Sequence, residues 1–405
     1  RGVVPVGPGV GHGYGLGPDQ AASQSCGAAM TRKLNAPIML AAGGTGGHVF
    51  PAQALAAELD RRGRAVDIVT DRRGDDYSGQ FPGRTVHQIT SATPSGRGLM
   101  GKAAAVINIA LGTLQARRLI RQVAPAAVVG FGGYPSLPTM LAAITLSVPR
   151  AIHEQNAVLG RVNRLIASRM DAIATSFPVT QGLPEKDAQP QLVTGNPVRD
   201  DVQALANQAY NAPKIDGPFE LLIFGGSQGA RKFSQVIPAA LLALPAALRR
   251  RLEVVQQCRP EDLDAVREVY TKADIRAETA VFFDDMPARL ATAHLVIARS
   301  GAGTVSELAM AGRPSILVPY AHATDDHQSR NAEVLSSAGG AWVLPEADLA
   351  VPVLTEHLAK LMNQPESLAE AAKAAKGRAQ PNAAAQLAEL VLALADHDEN
   401  GRAAA

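Results

Sequence analysis

Residues 38–48 read Ile-Met-Leu-Ala-Ala-Gly-Gly-Thr-Gly-Gly-His. The first five are apolar and uncharged, the pattern of a strand buried on both faces. Four glycines within the next five positions make a tight turn, and a helix is predicted from Phe50 to Arg62. Pro51 suits its first turn and Gly63 its stop. Strand, glycine turn and helix in that order make one unit of a parallel α/β sheet. Such a turn lets backbone N–H groups approach an anion, with the positive end of the helix behind them. It is not G-x-G-x-x-G, because Val49 takes the last place, and no Gly-Lys-Ser/Thr follows to make a Walker loop. A tight turn with no ligand fits the same residues.

The alternation continues outward. Strands are predicted at Ala65–Thr70, Ala127–Val129, Arg150–His153 and Ala172–Thr175. A long helix runs from Leu99 to Val123, and another lies near Leu159–Ser168. A second cycle opens at Glu220–Phe224 and runs through Leu252–Val255, Val281–Phe283, Leu295–Ala298 and Ser315–Val318. A last Ala/Leu-rich helix spans Asn382–Ala395. The reading is an α/β chain with two doubly wound domains and a cleft between them. Domains are expected at 35–199 and 200–376, followed by a terminal helix and flexible tail over 377–405.

The chain has 405 residues, 46% of them hydrophobic, enough for two cores. Residues 1–34 lack periodicity and read as a disordered extension, with Met30 as a natural start. The two cysteines, Cys26 and Cys258, form no C-x-x-C, which argues against a disulfide framework or zinc knuckle. No segment reaches the ~18 apolar residues of a spanning helix. Net charge is only +2, yet no acidic residue lies between Asp76 and Glu154, a stretch that holds Arg84, Arg97, Lys102, Arg117, Arg118, Arg121 and Arg150. That half should attract anions. Aromatics are only 4% of the chain, so base stacking is poorly supported and no nucleic-acid partner is expected.

Further glycine turns follow other strands: Gly130-Phe131-Gly132-Gly133-Tyr134-Pro135-Ser136, and Gly225-Gly226-Ser227-Gln228-Gly229-Ala230-Arg231. Three in one chain suggest more than one phosphate-bearing group. After Leu295–Ala298 comes Arg299-Ser300-Gly301-Ala302-Gly303-Thr304-Val305-Ser306-Glu307. This run can seat a phosphate at a helix start, with Glu307 about one turn in. A ribose ligand and a first-turn carboxylate favoured by the dipole fit Glu307 equally well. Gln328 and Asn331 carry the planar amides that hold neutral sugars. A metal held by His322, Asp325, Asp326 and His327, or by Asp284 and Asp285, is the weaker alternative, since nothing fixes a His pair on one helical face. His48, at a helix N-terminus, is the candidate base. His153 reads as structural, at a strand end.

Gly43 to His48, His153-Glu-Gln-Asn156, Gly195-Asn-Pro-Val-Arg199, Gly225 to Arg231 and Ser300 to Glu307, in this order and spacing, resemble the MurG family. These are the undecaprenyl-pyrophosphoryl-muramoyl-pentapeptide N-acetylglucosaminyltransferases. The resemblance covers roughly Pro37 to the final helix. It implies a GT-B fold and donor contacts from Thr45, Gly46, Gly47, Asn156, Arg199, Ser227, Phe283, Ala302, Gly303, Thr304, Val305, Ser306, Glu307 and Gln328. Uracil would lie on the backbone at Phe283, ribose on Glu307 and the sugar on Gln328. Gly44, Gly132, Gly133 and Tyr134 would seat the acceptor's diphosphate, and the terminal helix would cross back onto the first domain. Gly303 departs from the family, which can carry a bulkier apolar residue there.

The implied reaction is an inverting displacement by the C4 hydroxyl of the muramoyl sugar of a lipid-linked pentapeptide on UDP-N-acetylglucosamine. His48 would be the base, and no metal or other cofactor would be needed. The resemblance also implies a peripheral protein on the cytoplasmic face of the bacterial inner membrane, with cell-wall and division proteins as partners. In the segment Gly98–Arg121, the Leu99–Val106 end and its basic neighbours would meet an anionic membrane surface, while most of the apolar residues would be core. The rivals are another UDP-sugar enzyme of the same fold, such as an epimerase, and a sugar-nucleotide sensor without turnover. A dehydrogenase lacks its fingerprint.

Overall fold

The computed structural model describes residues 36–71, 81–93, 98–185, 189–226 and 229–403, with residue 2 alone before them. The extension predicted over 1–34, apart from residue 2, lies outside the described residues, as do Arg97, Ser227, Gln228 and the last two residues of the predicted tail.

The first lobe runs β1 (Ile38–Ala41), α1 (Gly46–Arg61), β2 (Val66–Thr70), β3 (Thr85–Gln88), α2 (Leu99–Val123), β4 (Ala127–Gly130), α3 (Gly133–Thr145), β5 (Arg150–Glu154), α4 (Arg161–Ile166), β6 (Ala172–Thr175) and β7 (Gln191–Val193). A short helix, α5 (Asp200–Gln203), follows the crossing. The second lobe opens with β8 (Phe219–Phe224), α6 (Arg231–Leu242), α7 (Ala246–Arg249), β9 (Leu252–Gln257), α8 (Leu263–Lys272) and β10 (Arg276–Ala280). It continues through α9 (Met286–Thr292), β11 (Leu295–Ala298), α10 (Ala302–Ala311), β12 (Ser315–Leu317), α11 (His327–Ser336) and β13 (Ala341–Val343). It closes with α12 (Val351–Met362), α13 (Pro365–Lys376) and α14 (Ala383–Ala403).

Among the described residues the strands form two sheets, β3-β2-β1-β4-β5-β6-β7 and β10-β9-β8-β11-β12-β13. The pairings at both sheet centres are parallel. Central strands β1, β4 and β11 are buried along their whole length, which is why their sequences are continuous apolar runs rather than alternating ones. The last helix does not stay with the second lobe. Leu387, Ala388, Val391 and Ala395 of α14 share one core with Val49, Ala52, Leu55, Ala56 and Leu59 of α1. Each Leu or Val side chain buried there contributes roughly 1.5–3 kcal/mol.

Several expectations are corrected. Helix α1 starts at Gly46, not Phe50, because the glycine turn itself supplies the first helical turn. Pro51 therefore sits in the interior, where its missing N–H leaves the Gly47 carbonyl without that partner. Val281–Phe283 is not a strand. The edge strand is the more polar Arg276–Ala280, and the apolar trio belongs to the loop after it. The helix read near Leu159–Ser168 is shorter, Arg161–Ile166, followed by a single 3₁₀ turn. Strands β3, β7 and β13 escaped the sequence reading: β3 and β7 carry polar residues and half-buried or exposed positions, and β13 is an apolar stretch of only three residues.

Two features of the first lobe explain sequence choices. Pro138, inside α3, removes the N–H that would reach the Tyr134 carbonyl, and the Ser91 hydroxyl donates to that carbonyl instead at 2.7 Å. Gly112 lies where α2 crosses the chain at Thr90. A Cβ there would come to 1.8 Å from the Thr90 carbonyl oxygen, so only glycine fits. The outer face of α2 is more apolar than expected. Met100 (89% exposed), Val106, Ile107, Leu111 and Leu114 all face solvent, so the exposed stripe runs well beyond Val106. Among the described residues, no helix is long and apolar enough to cross a membrane.

Candidate active site

In each sheet the winding reverses once, between β1 and β4 and between β8 and β11. Open α/β sheets bind ligands in the crevice at the carboxyl ends of such strands. The turns leaving these four strands are the four Gly-bearing stretches singled out from the sequence: Gly43–Gly47, Gly130–Gly133, Gly225–Gly229 and Arg299–Gly301.

In the first lobe, two turns close on His48. Thr45 is the exposed N-cap of α1, and its carbonyl accepts from the His48 and Val49 amides. Gly46 packs under the Phe50 ring, where a Cβ would come to 2.8 Å. Gly44 has φ 88°. Gly132 and Gly133 have φ of 82° and 71°, which favours glycine, and a Cβ on either would lie 3.1–3.5 Å from the His48 ring. Gly47 is exposed, and Tyr134, the next residue of α3, is half-buried.

Behind His48 lies a chain of buried polar groups. His48 Nδ1 is 3.0 Å from Gln155 Oε1. Gln155 Nε2 lies 3.0 Å from both the carbonyl oxygen and Nδ1 of His153. His153 Nε2 lies 3.0 Å from the Gly195 carbonyl oxygen. His153 is fully buried in β5; burial pushes its imidazole down to about 4, against the pull of the Gly195 carbonyl. Its neighbour Glu154, also buried, accepts from the Asn156 amide and side chain, the Gly160 amide and the Asn163 side chain.

In the second lobe, α10 begins at Ala302 with Gly301 as a cap that makes no side-chain hydrogen bond. Gly303, Thr304 and Ser306 are half-buried, Val305 is buried, and a Cβ on Gly303 would meet nothing within 4 Å. Glu307 is the sixth residue of the helix, not one turn in, so the capping-box reading falls. Burial pushes its carboxyl up to about 7; the Arg199 charge pulls it down and Asp201 pushes it further up. Arg199, at the start of α5, lies 5.2 Å over the Phe50 ring, and its buried Nε has no hydrogen-bond partner. Phe283 is buried under the Arg289 guanidinium at 4.1 Å, which is in turn held by Glu278 and Asp285. Gln328 is half-buried, and its Oε1 accepts from the Tyr320 amide at 2.9 Å.

Asn331 does not line a sugar pocket. Fully buried, it accepts from the Ala157 amide at 2.8 Å and donates to Asn156 Oδ1 and the Ser300 carbonyl at 3.1 Å. It ties the two lobes together beside Asn156. Arg164 and Asp325 add an ion pair across the same boundary. Asp326 is engaged by Ser329 and His327 by the Thr324 carbonyl. Among the described residues no three His, Cys, Asp or Glu side chains gather as a metal site. Arg299 is a buried strut: it pairs with Glu346 at 2.7 Å and bonds the carbonyls of Val318 and Pro319. The sequence reading gave no role to Gln155, Glu154 or Arg299: Gln155 and Arg299 reach groups distant in the chain, while Glu154 acts locally, on Asn156, Gly160 and Asn163 just downstream. A cavity of about 490 Å³ between β8–β10 and α9 lies away from these turns, and its lining Arg289 is already paired with Glu278 and Asp285.

Comparison with known proteins agrees with this layout. Residues 38–175 match the N-terminal domain of glycosyltransferase family 28, and residues 220–387 match its C-terminal domain. A protein of Rhodospirillum centenum, named UDP-N-acetylglucosamine--N-acetylmuramyl-(pentapeptide) pyrophosphoryl-undecaprenol N-acetylglucosamine transferase, is 52% identical over 89% of this chain and 95% of its own length. One of the same name from Rhodospirillum rubrum is 52% identical over 90% of this chain and 94% of its own. The crystal structure of Acinetobacter baumannii MurG superposes with a TM-score of 0.70 at 33% identity, over 88% of this chain and 98% of that one. The two lobes are those of the GT-B fold.

Proposed function

The chain belongs to the MurG family within glycosyltransferase family 28, and from that we infer that it transfers N-acetylglucosamine from UDP-N-acetylglucosamine to a lipid-linked N-acetylmuramoyl-pentapeptide. The observation that carries the mechanism is the meeting of two glycine turns around His48, with the Glu307 helix facing the same boundary through Arg199 and Phe50. The acceptor binds the first lobe (35–199), its diphosphate on Gly44, Gly132, Gly133 and Tyr134. The donor binds chiefly the second (200–376). Its ribose hydroxyls donate to Glu307, the uracil lies on the backbone at Phe283, and the sugar meets Gln328 and Asn156. Thr45, Gly46, Gly47, Arg199, Ser227 and residues 302–306 complete that site. His48 takes the proton of the C4 hydroxyl as it attacks the anomeric carbon and inverts it. The start of α10 and the Gly225–Gly229 turn stabilise the charge on the departing UDP.

The test is release of UDP from UDP-N-acetylglucosamine, with and without a lipid-linked muramoyl-pentapeptide, in the presence of EDTA. Acceptor-dependent release is the expected result. Donor binding with no release under any acceptor condition would favour a sensor over an enzyme.

We also propose that α2 rests on an anionic membrane surface. Met100, Ile107, Leu111 and Leu114 share one helical face, and Arg118 and Arg121 continue it. A stripe that passes from apolar to basic suits the boundary of an anionic leaflet, where each Lys or Arg adds ~1 kcal/mol. Changing Met100, Ile107 and Leu111 together to Ser is expected to weaken sedimentation with anionic vesicles at least about tenfold, with acceptor-independent donor binding intact. Unchanged sedimentation in low and high salt would refute it. Cell-wall and division proteins are the partners we propose alongside.

A further inference from the structure

The polar chain behind His48 has a direction, and the atoms at its far end fix it. A carbonyl oxygen only accepts. The Gly195 carbonyl 3.0 Å from His153 Nε2 therefore requires the proton of His153 on Nε2. His153 is buried, and burial holds it neutral, so its Nδ1 is bare and accepts. The Gln155 amide atom beside that Nδ1 also lies 3.0 Å from the His153 carbonyl, so it is the NH₂ group, which donates to both. The amide orientation follows from these partners. The other amide atom, the oxygen, then faces His48 Nδ1 at 3.0 Å and can only accept. Neutral His48 must carry its proton on Nδ1. Its Nε2 lies on the side of Gly133, where a Cβ would come to 3.3 Å.

We infer that Gln155 and His153 are positioning residues that hold the His48 proton on Nδ1 and so leave Nε2 as the atom that receives the acceptor hydroxyl's proton. The inference rests on the reading of His48 as base. As Nε2 takes the proton, His48 becomes an imidazolium whose Nδ1–H still donates to the Gln155 oxygen. No proton travels further along the chain, and no other bond is made or broken in it. An amide does here what a carboxylate does in a Ser-His-Asp arrangement, orienting the ring without adding a negative charge. Of the titratable groups along this chain, His153 is held neutral and Glu154 has its two oxygens turned to Asn156, Gly160 and Asn163. The chain ends on the backbone that joins the lobes: Gly195 has φ 82°, and a Cβ there would come to 2.5 Å from Gln380 Cβ.

The experiment is a long-range ¹H–¹⁵N correlation spectrum of the full chain labelled at histidine nitrogens, recorded at alkaline pH, with His48→Ala to assign its signals. The expected pattern is protonated Nδ1 and bare Nε2 for His48, and the reverse for His153. A His48 found with protonated Nε2 overturns the inference, with no variant needed. In Gln155→Leu, kcat is expected to fall roughly 10–100-fold, part of the usual worth of a general base, with both KM values nearly unchanged and the His48 signals shifted toward the other tautomer. In Gln155→Glu, the acidic limb of the kcat profile should move to higher pH, since a carboxylate favours imidazolium. Gln155→Leu with wild-type kcat and tautomer would also overturn it. Full turnover in His48→Ala is a different failure: it removes the base itself, whatever the tautomer.

Discussion

His48→Ala is expected to lower kcat by about 10²- to 10⁴-fold, the range over which a positioned base contributes to proton transfer. The donor should bind as before, because the side chain is placed against Gly132 and Gly133 of the first lobe rather than against the α10 turn. Steady-state kinetics with saturating lipid acceptor, paired with calorimetric titration of UDP-N-acetylglucosamine, separates the two quantities. Near-normal turnover would remove His48 as base. A parallel loss of donor affinity would mean that the ring serves binding instead. The backbone should tolerate the change. His48 is half-buried at the third position of a helix, and alanine favours that conformation.

The second large effect is expected at Glu307. Its carboxyl sits at about 7, raised by burial, lowered by Arg199 and raised again by Asp201. In the proposed role of Glu307 as ribose ligand, only the ionised form would accept from both hydroxyls, so the donor KM should rise as pH falls below about 7. Glu307→Gln should raise the donor KM by roughly 10–100-fold, the worth of hydrogen bonds to a charged group, and should flatten that pH dependence. The same carboxylate costs stability. Its folded value, about 7, lies above the ordinary 4.5, so between those values the folded state binds more protons than the unfolded one. Stability therefore falls as pH rises from 4.5 to 7, and the cost persists above 7. Glu307→Gln should then be the more stable protein at pH 8 by ~1–3 kcal/mol, with no difference near pH 4. Melting curves at the two pH values check it; a variant less stable at pH 8 would sink the assignment of burial as the cause.

What was readable in the sequence was what is encoded locally. The buried central strands announce themselves as uncharged apolar runs, and the turns after them as glycines, because both demands are met within ten residues. Helix α2 was legible end to end, Leu99 to Val123. The misreadings come from distance. Val281–Phe283 has the composition of a strand, but register with β9 is made by Arg276–Ala280. Asn331 has the amide of a sugar ligand, but its partners are Ala157 and Asn156 on the other lobe, some 175 positions away, which no local pattern predicts. Gln155 was quoted within a motif and passed over, since its meaning depends on His48, 107 positions earlier. The outward stripe of α2 was hidden for the opposite reason: apolar residues on a helix look alike whether a core or a surface receives them.

Helix α14 imposes an order on biosynthesis. It belongs by sequence to the end of the second lobe, yet Leu387, Ala388, Val391 and Ala395 finish the core beneath α1. As the polypeptide grows at roughly 5–20 residues per second, β1 to β7 are available long before residues 383–395 exist. The lobe translated first must wait, with the apolar face of α1 uncovered, until the lobe translated second has been made. At those rates the delay after residue 199 is on the order of ten to forty seconds, during which that face is open to chaperones or to a neighbouring nascent chain.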